Sequence, residues 1–132
     1  MLRYGYDELL AQIHAGRHAC FSIGRTRMGR EIPALRIGEG RLPLLIVGAH
    51  HGREYISAHF IMRELEGIAL PDEVTLYAVP MLNPDGVELS LTACPSWKAN
   101  SAGVDLNEIY PCLFFEKKSA PAPCSEGFKG YY

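Results

Sequence analysis

This 132-residue chain has no apolar run approaching the ~18–20 residues a bilayer-spanning helix needs, which excludes a helical membrane span. It has no basic surplus either. Thirteen Lys and Arg against 15 Asp and Glu give a formal net charge of -2, the wrong balance for a nucleic-acid partner. Cys20, Cys94, Cys112 and Cys124 form no CxxC pair, so a metal site made of cysteines alone is not expected. The opening residues carry Asp7 and Glu8 and lack the apolar h-region of a signal peptide, which predicts a cytoplasmic address. In that setting free thiols are the expectation, with Cys94–Cys112 and Cys112–Cys124 bridges left open. No internal repeat or low-complexity tract occurs, and no histidine follows His59.

What is present describes a globular chain. Hydrophobic residues make up 48%, enough for a real core, and the length suits one domain. Tyr6, Leu9, Leu10 and Ile13 recur at helical spacing and end at Gly16, predicting an amphipathic helix. Residues 18–24 and 31–37 read as two strands joined by a polar hairpin connection near Gly29. Residues 42–47 are almost continuously apolar, as in a strand buried on both faces. A helix over 54–68 follows, with Ala58, Ile61, Met62, Leu65 and Ile68 on one stripe, then a buried strand over 74–79. That order predicts an α/β fold with a right-handed crossover. Asn83-Pro84-Asp85-Gly86 is turn chemistry, and residues 111–132 read mostly as loop.

Charge is uneven along the chain. Arg17, Arg25, Arg27, Arg30, Arg36, Arg41 and Arg53 face only Glu31 and Glu39 between residues 17 and 53. A solvated strand face with a basic loop accounts for them; local attraction of an anionic substrate is the alternative. His51 and Glu54 carry the sharper signal. They stand three residues apart where an apolar strand meets a helix, the crevice in which α/β sheets bind ligands. An imidazole and a carboxylate at that spacing are two-thirds of a common zinc shell. Alone the pair is a weak motif, since a loop histidine and a helix-terminal acid favoured by the macrodipole would look the same.

Context sharpens it. His51-Gly52-Arg53-Glu54 is followed in order by residues 80–86, by Trp97-Lys98-Ala99-Asn100 and by Gly103-Val104-Asp105-Leu106-Asn107. With Gly29-Arg30-Glu31-Ile32-Pro33, these motifs resemble the zinc carboxypeptidases of the funnelin type, and within them the bacterial γ-D-glutamyl-L-diamino acid endopeptidases. The resemblance implies a mixed-sheet zinc-carboxypeptidase-like α/β/α fold and a peptide substrate, with a cell-wall peptide in the endopeptidase branch. It implies His51 and Glu54 as zinc ligands, and Asp105 as the acid that fixes the histidine tautomer. An Asx-turn acid is the plain alternative for Asp105, and a surface ion pair for Arg53. The resemblance further implies Arg53 near the scissile carbonyl or substrate carboxylate. It places Lys98 where the family keeps an oxyanion-stabilising arginine, and Asn107 on the substrate's terminal carboxylate.

Two departures accompany the matches. Glu108 stands where carboxylate-binding members carry an arginine, and its charge would repel a C-terminal carboxylate. The family's third zinc ligand is a downstream histidine and its general base a later glutamate, and neither occurs here. Residues 127–132 resemble a segment lying upstream of both. The reading is therefore one partial domain over 1–132, covering about the first half of such an enzyme, truncated after about half the sheet. Such a chain binds zinc weakly or not at all and is inactive alone. It also leaves residues 42–47 at an exposed sheet edge, open to self-association. A non-catalytic relative that binds peptides or cell-wall fragments is the second reading. A serine hydrolase, suggested by Gly48-Ala49-His50-His51-Gly52, fails for want of a G-x-S-x-G elbow.

Overall fold

The computed structural model describes residues 3–108 and Tyr110. Helix α1 (Tyr6–Ala15) buries Tyr6, Leu9 and Ile13. Its start is capped by Glu8, whose carboxylate accepts from the Gly5 N–H at 2.9 Å. Strands β1 (Ala19–Arg25) and β2 (Glu31–Ile37) form an antiparallel hairpin. Strand β3 (Leu42–Val47) runs parallel to β4 (Val74–Val79), and α2 (Ile56–Leu65) crosses between them. β2 and β4 pair antiparallel, giving a mixed four-stranded sheet in the order β1-β2-β4-β3. Helix α3 (Pro84–Thr92) follows β4. This is the mixed α/β architecture the sequence predicts.

One apolar cluster joins all three helices to the sheet. Leu9, Leu35, Ala58, Ala78, Met81 and Val87 are fully buried at its centre. Burying a side chain of Leu or Met size contributes about 1.5–3 kcal/mol relative to exposure. The opposite face of the sheet is different. Phe21, Ile23, Leu45 and Tyr77 line an apolar concavity of about 690 Å³ to which no residue of α1, α2 or α3 contributes. The second helical layer of an α/β/α arrangement is not among the described residues.

Four readings change in detail. The apolar run of β3 is not buried on both faces: Leu45 is 68% exposed and Leu42 60%, because β3 occupies the sheet edge. The edge position is the one the family resemblance implied. Residues 54–68 are not one helix. A 3-10 turn (Gly52–Glu54) precedes α2, which stops at Leu65 where the Glu66 N–H closes on Arg63 and Gly67 makes continuation costly. The Asn83–Gly86 motif is not a free turn but the start of α3, with Asn83 as N-cap and Pro84 in the first turn.

The fourth change concerns thiols. Cys94 is disulfide-bonded, against the expectation of free cysteines. Cys20 is free, so the partner lies outside the described residues. Spatial approach in the fold decides such pairing, and sequence spacing does not report it. Residues 111–132, read as loop, also lie outside the described residues.

Candidate metal centre

The loop after β3 is shaped before any functional side chain appears. The Gly48 N–H extends the ladder to the Val79 carbonyl at 2.9 Å. Ala49 then takes φ 46°, a left-handed conformation that a non-glycine residue holds only under constraint. The constraint is visible: the Ala49 N–H donates to Ser57 Oγ at 2.8 Å, and its carbonyl accepts from the Asn83 N–H at 3.1 Å. This turn throws His50 and His51 across the carboxyl end of the sheet. Gly52 follows because a Cβ there would sit 2.1 Å from the Gly86 carbonyl oxygen.

His51 and Glu54 converge. His51 Nδ1 lies 3.0 Å from Glu54 Oε2, and Nε2 lies 3.0 Å from Asp105 Oδ1. Asp105 Oδ1 also accepts the Asn107 N–H at 3.0 Å, so the same oxygen closes an Asx turn. Asp105 is 1% exposed, and its Oδ2 is buried without a hydrogen-bond partner. With the ring proton on Nε2, donated to Asp105 Oδ1, the Nδ1 lone pair would be free for a cation shared with Glu54.

That donor set fits a zinc ion in part. Two ligand atoms at ~2.0–2.1 Å from a tetrahedral centre are about 3.3 Å apart, close to the separation found between Nδ1 and Oε2. Among the described residues, however, no three His, Cys, Asp or Glu side chains are arranged to hold one ion. His51 and Glu54 supply two donors, and Asp105 faces the other ring nitrogen.

Cations gather at the second oxygen of Glu54. Lys98 Nζ and Arg53 Nε each lie 4.0 Å from Oε1, with the Lys98 side chain 14% exposed. The backbone brings them there: the Gly52 N–H donates to the Lys98 carbonyl at 3.0 Å and the Arg53 N–H to the Trp97 carbonyl at 2.8 Å. A cleft of about 250 Å³ opens beside His51, lined by His50, Glu54, Ser57 and Asn107 among others. Arg53, Lys98 and Glu108 are not in its wall.

Sequence reasoning missed several participants. His50 Nε2 meets the Tyr110 hydroxyl at 2.7 Å, and burial, aided by neighbouring His51, pushes its pKa down against the pull of Glu54 and Asp105. Asn83 and Asp85 were visible only as turn formers, yet both are buried and bonded on several sides. Asp85 accepts from Thr26 Oγ1, the Met28 N–H, Arg30 Nη1 and Ser101 Oγ at 2.7–3.1 Å. The signal was the motif's polarity next to a buried strand, which a turn alone does not require.

The γ-D-glutamyl-L-diamino acid endopeptidase 1 of Lysinibacillus sphaericus is 28% identical over 145 residues, covering 83% of this chain and 36% of that protein. An inactive metallocarboxypeptidase of Paracoccidioides brasiliensis is 27% identical over 148 residues, covering 92% of this chain and 25% of its own length. The chain thus spans about a quarter to a third of the curated relatives it matches. Among solved structures, bovine thrombin-activatable fibrinolysis inhibitor in complex with tick carboxypeptidase inhibitor superimposes with a TM-score of 0.77 at 18% identity. That match covers 99% of this chain and 51% of the other and shows a shared fold. Residues 4–132 match the zinc carboxypeptidase family, so nearly the whole sequence is accounted for by one profile, and the chain belongs to that family.

Proposed function

We propose that this chain carries two zinc ligands, His51 and Glu54, of a metallopeptidase centre acting on peptides, with γ-D-glutamyl-diamino acid cell-wall peptides as the substrate class. The observation behind this is the 3.0 Å approach of Nδ1 to Oε2 with Asp105 on the opposite ring nitrogen. Zinc, when bound, supplies a Lewis acid and a water acidic enough to attack an amide near neutral pH. Asp105 holds the proton at Nε2 and so keeps Nδ1 free as a donor. Lys98, largely withdrawn from solvent, keeps a positive charge where an oxyanion develops, and Arg53 orients the scissile carbonyl or a substrate carboxylate. Asn107, in the cleft wall, offers an amide to the peptide.

Cobalt titration followed by visible absorption tests the ligands. The wild-type chain takes up cobalt weakly, His51→Ala takes up none, and Asp105→Asn weakens uptake by about tenfold. Equal uptake by wild type and His51→Ala would remove the proposal. The second reading, a non-catalytic binder of peptides or cell-wall fragments, draws on the two-donor count among the described residues and on the similarity to an inactive relative.

The edge strand supports self-association as the third element. The Leu42 N–H donates to the Glu73 carbonyl and the Gly48 N–H to Val79, so even-numbered residues of β3 face β4. Alternation turns Pro43, Leu45 and Val47 outward. Residues 42–47 carry no charge to repel a second copy, although Pro43 removes one donor from the free edge. Sedimentation should show concentration-dependent dimers that Leu45→Lys abolishes. A wild-type chain that stays monomeric at high concentration rules this out.

A further inference from the structure

We infer that Asn83 is a positioning residue whose amide clamps the backbone on both sides of His51; the assignment of His51 as the group being positioned rests on the metal reading above. Asn83 is 2% exposed, and its side chain works in two directions. Oδ1 accepts the Gly86 N–H at 2.9 Å and caps α3. Nδ2 points the other way, toward three carbonyls: His50 at 3.0 Å, Lys98 at 3.2 Å and Ala99 at 3.0 Å. An amide has two hydrogens, so one of them is shared.

The partners close a ring around the ligand histidine. The His50 carbonyl, immediately before His51, is held by Asn83 directly. The Gly52 N–H, immediately after it, donates to the same Lys98 carbonyl that Asn83 holds. One amide therefore fixes the residues flanking His51 and the residue that presents Lys98. An N-cap needs only an acceptor, and Asp or Ser would serve as well as Asn. Only Asn supplies the acceptor for Gly86 and donors for three carbonyls at once. The packing leaves no alternative path: a Cβ on Gly86 would lie 2.3 Å from Nδ2 and 2.5 Å from the Ala99 carbonyl oxygen.

Amide hydrogen exchange on the full chain separates the clamp from the cap. Asn83→Asp keeps the acceptor but turns an oxygen toward three carbonyl oxygens; Asn83→Ser keeps an acceptor and drops the amide without adding charge. In both, the Gly86 amide stays protected, while Gly52 and Arg53 exchange about tenfold faster or more. Cobalt affinity falls by about tenfold alongside. Unchanged protection of Gly52 and Arg53 in either folded variant overturns the inference. A readout that needs no variant accompanies it: in wild type the Asn83 side-chain amide protons exchange slowly and show cross-peaks to the Gly52 N–H, and their absence also overturns it. Should wild type take up no cobalt while the variants show the exchange pattern, the metal reading falls and the clamp stands.

Discussion

Asp85→Ala lowers the unfolding free energy by about 3 kcal/mol, and the midpoint of thermal unfolding drops on the order of 10 °C. The substitution removes a buried acceptor and strands four donors at once. Thr26, Met28 and Arg30 come from the β1–β2 hairpin, Ser101 from the loop that leads to Asp105, and Asp85 itself opens α3. Arg30 is 27% exposed and partly recovers water, which holds the loss below that of a fully buried pair. A Tm shift under about 2 °C would show that the network contributes little.

The same carboxylate makes stability depend on pH. Burial raises the pKa of Asp85, but hydrogen bonds from Ser101, Arg30, Thr26 and the Met28 N–H outweigh it, and the net pKa lies below the ordinary carboxylate value. A group whose folded pKa is depressed stabilises the fold above its unfolded pKa, and that contribution disappears as pH falls through the folded value. The stability gap between wild type and Asp85→Asn is therefore full above about pH 4 and closes in stronger acid. A gap that stays constant down to the acid transition contradicts the assignment.

Given zinc and a γ-D-glutamyl-diaminopimelyl peptide, the 132-residue chain alone shows no metal-dependent hydrolysis. The two donors among the described residues hold the ion loosely, where hydrolytic zinc sites use three protein ligands and an open position. The remaining histidines do not complete the set. His50 is engaged by Tyr110, and the His59 ring packs at a 56° tilt against Tyr4 with centroids 4.9 Å apart. A positioned general base alone contributes about 10²–10⁴-fold, and among the described residues the cleft wall carries no carboxylate besides Glu54. Turnover that His51→Ala abolishes would refute this expectation and assign a complete centre to the chain by itself.

Legibility differed by residue. The α1 and α2 stripes were readable because burial of one helix face imposes a period that survives in sequence, and Leu9, Ile61 and Leu65 all landed inside. His51, Glu54 and Asp105 were singled out by ordered motifs, and the fold brings each carboxylate to 3.0 Å from the His51 ring although 54 residues separate His51 from Asp105. β3 misled, because an apolar strand looks the same whether its neighbours are present or not. Asn83 and Asp85 were underread, because turn propensity and buried networking select the same short polar residues. Cys94 was misread, because pairing depends on approach in space.

The sequence by itself determined the order of elements from α1 to β4, the faces of α1 and α2, the motif residues and the family they belong to, since each rests on local periodicity or on residue type at fixed spacing. Tertiary structure alone decided what meets what. It placed β3 at an edge and bonded Cys94. It put two carboxylates on opposite nitrogens of one imidazole, and it turned a four-residue motif into the joint between three loops. The reason is physical: hydrogen bonds of 3 Å between distant segments depend on where backbones cross, and nothing local in the chain encodes a crossing.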